Sequence, residues 1–249
     1  MTAPLLELKN VTKRFRGLTA VDRVNMSVAA GQIVGIVGPN GSGKTTTFAC
    51  VSGFHRPEDG QILFEGQDIT GLLPYQIARL GVSRTFQIVQ SFEDMTVLDN
   101  VVLGALKPDS QNHSISLSEA KDRAMEVVEM VGLGAEATKL SGSLGIPGRK
   151  RLEIARALAT RPKLLLLDEV MAGLRPVEVD QAVEIIQKIR TQGVTIVVVE
   201  HLMRAVVALS EKLYVIHHGA VLAEGNDPRE VLGRPEVVEA YFGKATMDA

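Results

Sequence analysis

The sequence predicts an α/β fold with a mainly parallel sheet, and three observations carry that expectation. An apolar run at 32–37 ends at a glycine and is followed by a helical stretch over 44–52. From residue 163 onward, short apolar runs alternate with helical patterns. Between these strand-rich parts, residues from about 88 to 160 read as mostly helical.

The elements follow in order. Residues 5–10 alternate apolar and polar, and 22–28 do so again through Val24, Met26 and Val28, so both read as strands. Gly31 punctuates before the apolar strand 32–37, and residues 61–64 form another strand closed by a turn at Glu65-Gly66. Helices are expected over 74–80 and 96–104. The polar stretch 107–116 reads as a surface loop, with Ser118 as N-cap of a helix over 119–131. Thereafter strands at 164–167, 195–199, 213–217 and 221–224 alternate with helices at 176–190 and 201–210. The whole, 1–249, reads as one domain: a core of about 1–87 and 161–249, with an antiparallel N-terminal β part, and a helical subdomain inserted at about 88–160.

Composition narrows the class. The 249 residues are 45% hydrophobic and 22% charged, ordinary for a globular chain, with a formal net charge of −2. That balance argues against a large basic surface for nucleic acid. The single cysteine, Cys50, cannot form an internal disulfide, which fits a reducing compartment. No stretch reaches the about 18–20 apolar residues needed to span a bilayer, and the first seven residues lack the pattern of a signal peptide. A soluble, cytoplasmic protein is the expectation, with any membrane role acting through a partner.

The strongest local signal is Gly38-Pro39-Asn40-Gly41-Ser42-Gly43-Lys44-Thr45-Thr46, which fits G-x-x-x-x-G-K-[ST] between an apolar strand and a helix. Glycines let the backbone curl so that successive N–H groups face phosphate oxygens, and the following helix adds its positive end. Asn40, Gly41, Ser42, Gly43, Lys44, Thr45 and Thr46 are therefore expected to bind nucleotide, with Lys44 at the β/γ-phosphates and Thr45 on Mg²⁺. Residues 164–169, four leucines ending in Asp168-Glu169, supply the second acidic element. Asp168 at the strand tip suits Mg²⁺ held through water, and Glu169 suits a general base on the attacking water. Together these predict a P-loop NTPase using ATP and Mg²⁺. A GTPase reading lacks its guanine-reading Asn/Thr-Lys-x-Asp segment.

At this point the sequence resembles the nucleotide-binding domain of ABC transporters over essentially its whole length. Phe15 falls where the family places an aromatic on adenine, and Val21 where a small apolar residue lines the base site. Gln87, in Arg84-Thr85-Phe86-Gln87, matches the glutamine that joins the metal site to the helical insert. His201 matches the switch histidine at the γ-phosphate. The resemblance is strongest to the larger ATPase of branched-chain amino acid importers, on residues 80–87, 151–156, 168–174, 199–203 and 239–243. It implies an ATP-hydrolysing motor at the cytoplasmic face of the membrane. Its partners would be transmembrane permease subunits, a second ATPase subunit in a homo- or heterodimer, and indirectly a solute-binding protein. An ABC ATPase for lipid or lipopolysaccharide traffic shares the same core and stays open at this point, as does a soluble, non-transport ABC ATPase.

Two departures from the family pattern stand out. Its Leu-Ser-Gly-Gly-Gln-like signature falls on Leu144-Gly145-Ile146-Pro147-Gly148, with serine and glutamine both replaced by glycine and Pro147 expected at the first helical position. Leu140-Ser141-Gly142-Ser143 looks more like the motif but lies four residues too early. Arg175 stands where the family often has Asp or Asn, and an arginine there is open to pairing with a partner's carboxylate or a phosphate.

Overall fold

The computed structural model describes residues 3–85, 91–106 and 115–242. Two sheets form the core. The first pairs β1 (Leu6–Phe15) between β2 (Leu18–Val28) and β4 (Asp59–Phe64), with β5 (Gln67–Asp68) beyond β4, all antiparallel. The second has six strands: β3 (Ile33–Val37), β6 (Val82–Arg84), β7 (Leu164–Asp168), β8 (Thr195–Val199), β9 (Lys212–His217) and β10 (Ala220–Gly225). Its order is β10-β9-β3-β8-β7-β6, parallel except for the β9–β10 hairpin. The expected mixture of a parallel core and an antiparallel N-terminal part is what forms.

The four-leucine run on β7 is apolar at every position because both faces of the sheet are covered. Leu164 and Leu166 pack with Phe48, Ile62 and Phe64 under the antiparallel sheet. Leu165 and Leu167 pack with Val101, Ala124, Leu152 and Ile186 under the helices. All four leucines are fully buried, each contributing about 1.5–3 kcal/mol. The second layer holds α3 (Val97–Ala105), α4 (Leu117–Met130) and α5 (Ile146–Leu158), which pack on one another, and α6 (Pro176–Thr191).

Several boundaries differ from expectation. The first two strands are longer than the alternation at 5–10 and 22–28 implied, because pairing in the β1–β2 hairpin extends to Phe15↔Leu18. Ser118 does not cap α4. Ser116 does, accepting a hydrogen bond from the Glu119 N–H, so the helix starts at Leu117. Thr96 lies outside α3 as its N-cap, accepting from the Asp99 N–H. The helix expected at 201–210 is α7 (Met203–Leu209), and Pro147 takes the second helical position, after Ile146. Residues 107–114 of the expected loop lie outside the described residues. Among those described, no helix is long and apolar enough to cross a membrane.

Candidate nucleotide site

The site forms where β3 ends. Gly38 (φ +154°) and Gly43 (φ +109°) adopt backbone angles that L side chains rarely reach, and both are hemmed in by backbone. A Cβ on Gly38 would lie 2.0 Å from the Ile216 carbonyl oxygen, and one on Gly43 2.3 Å from that of Ala20. The β9–β10 turn braces the loop, since the Gly219 N–H donates to the Ser42 carbonyl at 2.9 Å. From Lys44 the chain enters α1 (Lys44–Val51), whose first turn receives no acidic side chain, so its positive end stays open to an anion.

Lys44 is buried, and its ammonium donates to the carbonyls of Gly38 at 2.8 Å and Pro39 at 2.9 Å. Burial lowers its pKa, partly offset by attraction to Glu169 and Asp168. Thr45 is exposed at the cleft, whereas the buried Ser42 hydroxyl has no hydrogen-bond partner among the described residues. A cleft of about 860 Å³ is lined by Phe15, Leu18, Ala20, the segment Asn40 to Thr46, Glu169 and His201. The Phe15 and His55 rings meet edge to face, with centroids 5.1 Å apart.

Asp168 ends β7 and is completely buried. Its backbone N–H donates to the Thr85 hydroxyl at 3.0 Å, and Oδ2 accepts from Arg84 Nη2 at 2.8 Å. Oδ1 has no hydrogen-bond partner among the described residues. Desolvation raises the Asp168 pKa, opposed chiefly by the bond from Arg84. Glu169 follows at φ +51°, a strained angle for a non-glycine residue, and its N–H donates to the Val199 carbonyl at 2.9 Å. Its Oε1 lies 2.6 Å from His201 Nε2. This pair can orient a water molecule in the cleft and share a proton with it.

Glu200, next to His201, was not singled out from sequence, yet it is fully buried and accepts the Met171 N–H at 2.8 Å. It thereby fastens the turn after Glu169 to the segment that follows β8 and carries His201. Burial pushes its carboxyl from 4.5 up to about 7. The folded state therefore holds a proton that the unfolded chain has already lost between those values. Stability from this group is expected to fall as pH rises from 4.5 to about 7 and to stay level above, a change of about 3 kcal/mol at most. Glu200→Gln should flatten that slope, which denaturant unfolding at several pH values measures.

The structure thus brings together Phe15, the loop from Asn40 to Thr46, Glu169 and His201, with Asp168 behind them. It corrects one expectation: Val21 does not line the cleft. On β2 it points into the core and is fully buried, and Leu18 and Ala20 take the cleft wall instead. Gln87 lies outside the described residues. Arg84 and Thr85, both holding Asp168, were also missed. No local pattern in the sequence marks either of them. The earlier look-alike of the signature is excluded, because Ser141 is buried and its hydroxyl donates to the Phe92 carbonyl. Gly145 is the N-cap of α5, with no side-chain cap bond. Arg175 binds its own Glu178, Nε to Oε1 at 2.7 Å.

A family model described as ABC transporter matches residues 21–172. The chain is 40% identical over 256 residues to the high-affinity branched-chain amino acid transport ATP-binding protein BraF of Pseudomonas aeruginosa, covering 98% of this chain and 100% of BraF. It is also 40% identical over 258 residues to LivG of Escherichia coli, a protein of the same description, with the same coverage. The ADP conformation of MJ1267, an ATP-binding cassette of an ABC transporter, superposes with a TM-score of 0.89 at 33% identity, over 98% of this chain and 100% of that one. MJ0796, in a dimeric post-hydrolysis state with ADP and Pi, gives 0.80 at 26% identity, over 89% and 98%. The chain belongs to the ABC transporter family and is one of its ATP-binding, ATP-hydrolysing subunits.

Proposed function

We propose that this subunit drives an importer for branched-chain or related amino acids, held at the cytoplasmic face of the membrane by transmembrane permease subunits. The observation that carries the reading is full-length similarity to BraF and LivG in a chain whose cleft gathers the phosphate loop, Glu169 and His201. The backbone from Gly41 to Thr46 and the Lys44 ammonium bind the triphosphate, and Phe15 stacks on adenine. Thr45 and, through water, Asp168 hold Mg²⁺, joined by Gln87. This donor set fits an ion that keeps most of its water and takes few protein carboxylates, and the buried Oδ1 of Asp168 offers the missing acceptor. Bound Mg²⁺ supplies charge neutralisation on the phosphates. Glu169 polarises the attacking water while His201 steadies it and meets the γ-phosphate. A second ATPase subunit closes each site, and a solute-binding protein delivers the amino acid.

We place the core at about 1–87 and 161–249, with α3–α5 in the inserted helical subdomain. Between α2 (Pro74–Leu80), α3 and α5 runs a groove of about 490 Å³, walled by the exposed side chains of Phe54, Tyr75 and Leu103. An apolar surface of this kind suits a cytoplasmic helix of the permease. The test uses the complex reconstituted in proteoliposomes with its permease and binding protein. ATP-dependent uptake of leucine, isoleucine or valine is expected. Leu103→Glu should prevent recovery of the permease with this chain, while the thermal midpoint of the isolated chain stays put. Uptake confined to a different solute class rejects the substrate, and unaltered recovery rejects the groove.

A further inference from the structure

Arg84 stands at the meeting point of two regions that the site chemistry leaves unconnected. Its side chain is largely buried, and one guanidinium nitrogen holds Asp168 Oδ2 at 2.8 Å. The other terminal nitrogen reaches the Ser52 hydroxyl at 3.4 Å, and the guanidinium carbon lies 5.8 Å from the Phe48 ring centre. Phe48 and Ser52 sit on and at the end of α1, the helix that begins with Lys44. Arg84 also lines the groove between α2, α3 and α5, together with Ser52, Ser83 and Arg156. Asp168 itself does not reach that groove.

From this geometry we infer that Arg84 is the positioning residue for Asp168. It fixes one carboxylate oxygen, so that the other, buried and unpartnered, is left for the metal's water shell. The planar, forked guanidinium suits the task, since it bonds carboxylate and hydroxyl together while lying against an aromatic ring. Second-sphere partners of this sort set the orientation of a metal's ligands without touching the metal. The inference rests on the reading of Asp168 as a Mg²⁺ holder.

The test measures ATP affinity of the full chain in EDTA and in excess Mg²⁺, and hydrolysis over a Mg²⁺ series. The unsubstituted chain is compared with Asp168→Asn, Arg84→Met, Arg84→Gln and Arg84→Lys, and thermal unfolding of each is followed. Asp168→Asn should lose the Mg²⁺-dependent gain in affinity; if it keeps that gain, the reading of Asp168 falls and the inference with it. Given that loss, Arg84→Met is expected to raise the half-saturating Mg²⁺ and lower kcat by about 10–100-fold. Its affinity in EDTA and its KM at saturating Mg²⁺ should move far less, and Arg84→Lys should recover most of the deficit. A folded Arg84→Met chain whose kcat and Mg²⁺ requirement stay within about twofold of the unsubstituted chain overturns the inference. If Arg84→Met does not fold, the lysine and glutamine variants decide. Lysine better by about tenfold supports the role, and equal behaviour overturns it.

Discussion

Lys44→Ala is expected to remove tight ATP binding and with it nearly all hydrolysis. The ammonium is buried at the head of α1 and already points at the loop, held by the carbonyls of Gly38 and Pro39. On nucleotide binding it exchanges two neutral acceptors for charged phosphate oxygens. A charge-assisted hydrogen bond of that kind contributes about 1.5–3 kcal/mol, so its loss weakens binding by about 10–150-fold. The transition state concentrates more charge on the same oxygens, and removing one such donor lowers turnover by about a further 10²–10³-fold. Burial depresses the lysine pKa, yet Glu169 and Asp168 work against that depression and favour the charged form that phosphate needs. Equilibrium titration with ATP and steady-state hydrolysis measure the two effects separately. Because the two carbonyls also lose their donor, a thermal melt accompanies them, and full activity in a folded Lys44→Ala chain would remove the site assignment.

Glu169→Gln is the second large effect, and it should separate binding from chemistry. The amide keeps the shape and a hydrogen bond to His201 but cannot take a proton from water. Losing a general base lowers kcat by about 10²–10⁴-fold while leaving ATP affinity close to its starting value. In a complex with a different ATPase subunit the effect should fall on the complex as a whole. In the proposed pairing, the site built on this chain's loop would face the partner's signature segment, and the reciprocal site would face this chain's Gly145 and Gly148, which lack side chains. A serine hydroxyl at that N-cap would add a hydrogen bond worth about 1.5–3 kcal/mol with a phosphate. Only the helix end remains to meet the anion there. The two sites would then be unequal, with this chain's Glu169 serving the stronger one. Turnover of the assembled complex near that of the unsubstituted complex, with Glu169→Gln in this chain alone, would reject that inequality.

What the sequence revealed and what it hid divide along a physical line. The phosphate loop and the Asp168-Glu169 pair were legible because both are contiguous, and a glycine spacing or a four-leucine run dictates its backbone directly. Helix α2 was legible for the same reason, with proline at its start and Gly81 at its end. The cap of α4 was misplaced because Ser116 and Ser118 both suit the role, and only the fold of the preceding chain selects between them. Val21 was misassigned because the resemblance alone placed it, and a family pattern names a position along the chain without fixing which face of the strand its side chain takes. In β2, Val21 faces the core and Ala20 the cleft. Arg84, Thr85 and Glu200 were silent for a further reason. Each acts across strands, Arg84 and Thr85 on Asp168 more than eighty residues away and Glu200 on Met171, and no local pattern marks such contacts.

The central claim is that one glycine-lined loop holds the nucleotide while Asp168 and Glu169 govern metal and water. A crystal structure of this chain with a non-hydrolysable ATP analogue and Mg²⁺ tests it most directly. The account predicts the triphosphate wrapped by the backbone of Gly41 to Thr46, Lys44 turned from the Gly38 and Pro39 carbonyls onto phosphate oxygens, and Mg²⁺ beside Thr45 with a water on Asp168. A triphosphate bound anywhere else, or a metal remote from Thr45 and Asp168, contradicts it.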